Sequence, residues 1–121
     1  MPSHTIVYLE DDPDLARLIT LSLRPWPTTI YIAQDGINGL KLIREYVPNL
    51  ILLDLNLPGL NGWEVCSKLA SDPELSQIPI VVLTALDLKA PLCCDQIIGY
   101  ILKPFTYISL REMLRPLLPQ N

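Results

Sequence analysis

The side chains in this sequence that can do chemistry stand at the ends of apolar runs. Asp54 closes Leu50-Ile51-Leu52-Leu53, and Glu10-Asp11-Asp12 follow Ile6-Val7-Tyr8-Leu9. Thr84 closes Ile80-Val81-Val82-Leu83, and Lys103 follows Tyr100-Ile101-Leu102. An ionised carboxylate at the end of a strand buried on both faces is costly unless something compensates it. Unit charges about 4 Å apart repel by about 4 kcal/mol at an effective dielectric near 20, so gathered carboxylates call for a divalent cation. Hard oxygen donors with room for water suit Mg²⁺, an ion that favours partners bearing phosphate. An aspartate nucleophile beside that ion can take up a phosphoryl group as an acyl phosphate. Lys103 would then pair with the phosphoryl oxygens, and the Thr84 hydroxyl would donate to one of them.

Each of these residues has a plainer reading when taken alone. Asp12 suits a helix N-cap as well as a ligand, and Glu10 and Asp11 would favour a helix N-terminus electrostatically. Thr84 reads as an ordinary strand residue, Lys103 before Pro104 as a solvated cation, and Asp54 as a strand-end turn residue. What lifts them above those readings is their common place, each at the C-terminal end of a candidate strand. In an open parallel sheet those ends converge on one crevice, where ligands bind.

Elements that would deliver this convergence can be read along the chain. Strand-type runs alternate with helical patterns at short spacing, the signature of βαβ units. Strands are expected over Thr5 to Leu9, Thr29 to Ala33, Leu50 to Asp54, Ile80 to Thr84 and Gly99 to Leu102. The first helix starts at Pro13 with Leu15, Leu18 and Ile19 inward, and Pro25-Trp26-Pro27 stops it. The second presents Ile37, Leu40, Ile43 and Val47, and Pro48 ends it. Val65, Cys66 and Leu69 face inward from the third. The last helix packs Tyr107, Leu110, Leu114 and Leu117, leaves Arg111, Glu112 and Arg115 outside, and frays at Pro116. Most of the 12 prolines fall at these breaks and so sharpen the boundaries. Right-handed crossovers make this (βα)5 order a doubly wound, five-stranded parallel sheet with helices on both faces. The strand order 2-1-3-4-5 is taken over from the flavodoxin-like class of such sheets; it sets strands one and three side by side.

Composition narrows the function classes. A chain of 121 residues with 50% hydrophobic content fits one domain with a sizeable core, so residues 1–121 are read as a single domain without an output domain. Its net charge of −4 and scattered basic residues argue against a nucleic-acid footprint. Apolar stretches are too short for a membrane span and the first residues lack a basic signal-peptide start, so a cytoplasmic location is expected. Cys66, Cys93 and Cys94 have no metal-ligand spacing and read as reduced, buried thiols. His4 reads as a solvated residue ahead of the first strand.

Over essentially its whole length the chain resembles the receiver (CheY-like) domain of two-component response regulators. The likeness is carried by Ile6-Val7-Tyr8-Leu9-Glu10-Asp11-Asp12, Leu52-Leu53-Asp54-Leu55-Asn56-Leu57-Pro58-Gly59, Asn61-Gly62, Val82-Leu83-Thr84-Ala85 and Tyr100-Ile101-Leu102-Lys103-Pro104-Phe105. The resemblance implies that Asp54 accepts a phosphoryl group from a sensor histidine kinase or phosphotransfer protein. It implies that Asp11 and Asp54 bind Mg²⁺ directly, with the Asn56 backbone carbonyl as a further ligand and Glu10 acting mainly through water. Lys103 would hold the phosphoryl group. Thr84 would move toward it while Tyr100 turns inward, switching a surface read by a downstream protein.

The chain departs from that pattern in three places. The stretch from Thr84 to Lys103 is shorter than is common in the family, and Leu86 to Gln96 with Pro91 inside it is a poor helix, so a short or irregular fourth helix is expected. Ile98-Gly99 replace the acidic pair that many transcriptional receivers place before the switch aromatic. Leu86 and Asn56 occupy positions that modulate loss of the phosphoryl group in the family, and an apolar Leu86 is expected to impede the attacking water. Leu88, Leu92, Cys93, Cys94, Ile97 and Ile98 are more apolar than a short helix can bury, which suggests a homodimer patch within residues 86–110 or collapse into the core. A degenerate receiver acting as a phosphorylation-independent interaction module is the alternative function. A phosphatase with an aspartate nucleophile is disfavoured, because Asn56 cannot serve as the general acid two residues after it.

Overall fold

A computed structural model of the chain describes residues 4–55, 57–84, 95–103 and 105–118. The elements run β1 (His4–Leu9), α1 (Pro13–Ser22), β2 (Thr28–Ala33), α2 (Gly36–Tyr46), β3 (Leu50–Asp54), α3 (Gly62–Ala70), β4 (Ile80–Thr84), β5 (Ile97–Leu102) and α4 (Tyr107–Leu114), with a 3-10 turn at Arg115–Leu117. All strands pair in parallel, in the order β2-β1-β3-β4-β5. β1 and β3 are thus neighbours, with Ile6 opposite Leu50 and Leu9 opposite Leu53. The short fourth crossover helix expected between β4 and β5 falls on residues 85–94, outside the described residues, as do Leu86, Leu88, Leu92, Cys93 and Cys94.

Alternation along the strands sends side chains to two cores. On one face Val7, Leu9, Ile51, Leu53 and Val82 pack with Leu40 and Ile43 of α2 and with Val65, Cys66 and Leu69 of α3. On the other, Ile6, Tyr8, Leu50, Leu52, Val81, Leu83 and Ile101 pack with Ala16 and Ile19 of α1 and with Leu110 and Leu114 of α4. Every residue of β3 and of β4 is buried, which explains why their sequences are unbroken apolar runs. Each large aliphatic side chain buried there contributes roughly 1.5–3 kcal/mol relative to exposure.

Helix starts are set by side-chain caps. Asp12 accepts from the backbone N–H groups of Asp14 and Leu15 at 2.9 and 3.4 Å. Asp35 caps α2, and Asn61 with Glu64 forms a capping box at α3.

Several expectations are corrected. Ile37 and Val47 are exposed rather than inward; the buried face of α2 is Gly36, Gly39, Leu40 and Ile43. The glycines let the backbone come so close that a Cβ at Gly39 would collide with the Leu9 side chain. Val47 lies past the helix end at φ 42°, closing α2 through its N–H to the Ile43 carbonyl. β5 starts at Ile97, not Gly99, and α1 ends at Ser22, ahead of Pro25. His4 is the first residue of β1, partly buried, and its Nε2 has no hydrogen-bond partner among the described residues. Burial holds its imidazole below the ordinary pKa. Arg111 is half-buried rather than outside: its guanidinium lies 5.6 Å from the Trp26 ring centroid, with that of Arg115 at 5.9 Å. Ile97 packs partly into the core, whereas Ile98, Tyr100, Leu102 and Ile108, all within the expected homodimer patch, are exposed.

Candidate functional site

Parallel pairing of β1 with β3 brings the carboxylates that follow both strands to one edge of the sheet. The Glu10 N–H bonds the Ala33 carbonyl at 2.9 Å, extending the ladder between β1 and β2 by a residue and fixing the Glu10 backbone. Asp54, the last residue of β3, lies opposite Leu83. The Lys103 N–H bonds the Thr84 carbonyl at 2.8 Å, so pairing of β4 with β5 also runs one residue past the strands. Each functional side chain thus follows or ends a rigid strand, which holds it more precisely than a loop would.

The resulting distances are short. Lys103 Nζ is 2.8 Å from Asp54 Oδ2 and 3.5 Å from Glu10 Oε1. One carboxylate oxygen each of Glu10, Asp11 and Asp54 lies within 4.8 Å of the others. Glu10 and Asp54 are 1% and 3% exposed, whereas Asp11 is open to solvent. Thr84 is buried at the end of β4. Tyr100, opposite Val82 on β5, has its side chain partly at the surface.

Charge in this corner is unbalanced, with three carboxylates facing one ammonium group. Burial, then the hydrogen bond and charge of Asp54, push the Glu10 carboxyl up to about 7, although the Tyr8 hydrogen bond and the Lys103 charge pull it the other way. Burial opposes the charge on Lys103, yet the hydrogen bond to Asp54 and the negative charges of Glu10 and Asp54 hold its pKa above the ordinary value. Burial raises the Tyr8 phenol well above its ordinary range, with the Glu10 charge adding to it. A cluster that retains a proton on a carboxyl near neutrality is one that a cation would discharge. Its oxygen-only donors, two of them buried and one open to water, fit a small hard divalent ion.

Of the residues singled out in the sequence, Glu10, Asp11, Asp54 and Lys103 come together and Thr84 ends the adjoining strand. Asp12 is a helix cap and not part of the cluster. Asn56 lies outside the described residues. Sequence reasoning missed Tyr8, whose hydroxyl donates to Glu10 Oε1 at 2.8 Å from within the core. The available signal was its place two residues before Glu10, since side chains at i and i+2 of an extended chain share a face.

Comparison with known proteins agrees with this geometry. The family model for the response regulator receiver domain matches residues 6–115. The DNA-binding response regulator MtrA of Mycolicibacterium smegmatis is 38% identical across 96% of this chain and 51% of its own length. The chain thus spans about half the length of the curated relatives it matches. The BeF3-activated N-terminal receiver domain of RstA from Klebsiella pneumoniae superposes with a TM-score of 0.79 at 34% identity, covering 96% of this chain and 99% of that one. The receiver domain of sensor histidine kinase PA1611 from Pseudomonas aeruginosa PAO1, solved with a magnesium ion in its active site cleft, gives 0.82 at 25% identity, covering 96% and 98%.

The chain therefore belongs to the receiver domains of two-component response regulators. It is a phosphoacceptor signalling domain, and Glu10, Asp11 and Asp54 form its candidate metal-binding cluster. Among the described residues no helix is long and apolar enough to cross a membrane.

Proposed function

We propose that Asp54 is the phosphoacceptor and that a histidine kinase or phosphotransfer protein supplies the phosphoryl group. An Asp54 carboxylate oxygen would bond to phosphorus as the bond to the donor imidazole nitrogen breaks; with the donor's other ring nitrogen protonated, an acyl phosphate and a neutral imidazole result. Asp11 and Asp54 would hold Mg²⁺ directly, Glu10 through water, and the Asn56 backbone carbonyl would complete the protein's share. The bound ion supplies charge neutralisation for the carboxylates and the incoming phosphoryl oxygens. Lys103 then exchanges its contact with Asp54 for one with a phosphoryl oxygen, keeping an opposite charge beside it throughout.

The observation that carries this reading is the 2.8 Å contact from Lys103 Nζ to a buried Asp54, with Glu10 and Asp11 oxygens beside it. Thr84, next to Leu102 across the β4–β5 ladder, and the half-exposed Tyr100 are assigned as the switch pair. Phosphorylation would shift the population in which the Thr84 hydroxyl turns to the phosphoryl group and Tyr100 turns inward, altering a protein-binding surface near β5. A kinase-fed domain of this kind works in the cytoplasm.

The test is a small phosphodonor with Mg²⁺, read by intact mass. The parent should gain about 80 Da, the mass of one phosphoryl group, and Asp54→Asn should gain none. A folded parent that never gains the mass refutes the reading and leaves the phosphorylation-independent module in its place.

A further inference from the structure

We propose that Tyr8 is a positioning residue of the metal-binding acid cluster: its hydroxyl, reaching out of the core, pins one Glu10 oxygen so that the carboxylate keeps the orientation in which it serves a bound cation. The inference rests on reading Glu10, Asp11 and Asp54 as an Mg²⁺ site.

The Tyr8 ring is fully buried, packed in the core between the sheet and α1 and α4. Nothing in that core calls for a hydroxyl; Ile6, Leu50, Leu52 and Leu83 are aliphatic, and a phenylalanine would fill the same space. A buried phenol nevertheless needs a partner, and this one finds the equally buried Glu10 at 2.8 Å. The bond has a charged acceptor once Glu10 is ionised, which makes it one of the stronger kinds.

Geometry shows what the bond prevents. Glu10 Oε1, the atom Tyr8 holds, is also the one 3.5 Å from Lys103 Nζ. Oε2 lies 3.4 Å from the Asp12 N–H. Without the phenol, Oε1 keeps only its longer contact with Lys103 and Oε2 its long one with the Asp12 N–H, so the carboxylate can swing closer to Lys103 in competition with Asp54. A carboxylate that acts on an ion through water is useful only if its oxygen stays in place, and outer partners of that kind commonly matter to metal affinity about tenfold or more.

The test is Mg²⁺ binding by titration calorimetry on the full chain at one fixed pH, for the parent, Tyr8→Phe, Glu10→Gln and the double variant. Tyr8→Phe should weaken binding about tenfold. Added to Glu10→Gln it should weaken binding no further, because the phenol acts only through that carboxylate. Mg²⁺ should also perturb a near-ultraviolet tyrosine band in the parent that is missing in Tyr8→Phe. A general loosening of the core by Tyr8→Phe would weaken binding equally in both backgrounds, which overturns the proposal. Equal affinity of parent and Tyr8→Phe overturns it too, while leaving the metal site standing. A folded parent without Mg²⁺ affinity overturns both the proposal and the site reading beneath it.

Discussion

Replacing Glu10 by glutamine should abolish a pH dependence that the metal-free protein carries. In the fold its carboxyl titrates at about 7 instead of 4.5, chiefly because it is buried and shares a hydrogen bond with Asp54. The native state therefore holds this proton more tightly than the unfolded chain. That contribution is fully present below about pH 4.5 and is lost as pH rises through about 7. At about 1.4 kcal/mol per unit the whole span is worth about 3.5 kcal/mol as a ceiling, reduced by whatever water reaches the open Asp11 side. The substituted amide cannot ionise, and it can donate to Asp54 as the protonated acid does. Thermal melts without metal should agree at about pH 5 and diverge by about pH 8, the variant melting up to about 10 °C higher. Mg²⁺ added at the higher pH should narrow the gap by stabilising the parent more than the variant. Melting curves that stay parallel across the range, with no divergence, would refute the charge balance described for this corner.

Two further outcomes test the scaffold. Gly62→Ala should destabilise by about 1–3 kcal/mol in denaturant unfolding, because its Cβ would lie 2.8 Å from the Leu55 Cα and 2.6 Å from its Cδ2; a stability equal to the parent's would show that α3 can pull back from the loop after β3. Gln96→Leu should cost about 2 kcal/mol, since the buried amide donates at 2.9 Å to both the Leu75 and Ile78 carbonyls; hydrogen exchange unchanged along β4 and β5 would contradict that bracing role.

The strand interiors and the cluster were readable from residue type because both follow one rule, apolar runs ending in a polar group. β3 and β4 match their expected bounds to the residue. Failures arose where backbone, not side-chain hydrophobicity, decides. Periodicity in α2 points to Ile37 and Val47, yet the buried stripe runs through Gly36 and Gly39, which a hydrophobic pattern cannot register. β5 continues ahead of Gly99 to Ile97 across a register shift that skips Ile98, an irregularity that apolar type does not signal. In the sequence Tyr8 reads as one more strand residue, because its hydroxyl acquires meaning only through the Glu10 carboxylate it bonds.

The ion pair between Lys103 and Asp54 joins positions 49 apart, and its cation rides on a strand with a neighbour on one side only. Peeling that outermost strand away would take Lys103 from both Glu10 and Asp54. If Lys103 holds the phosphoryl group as proposed, competence to receive a signal depends on this edge strand staying paired with the sheet.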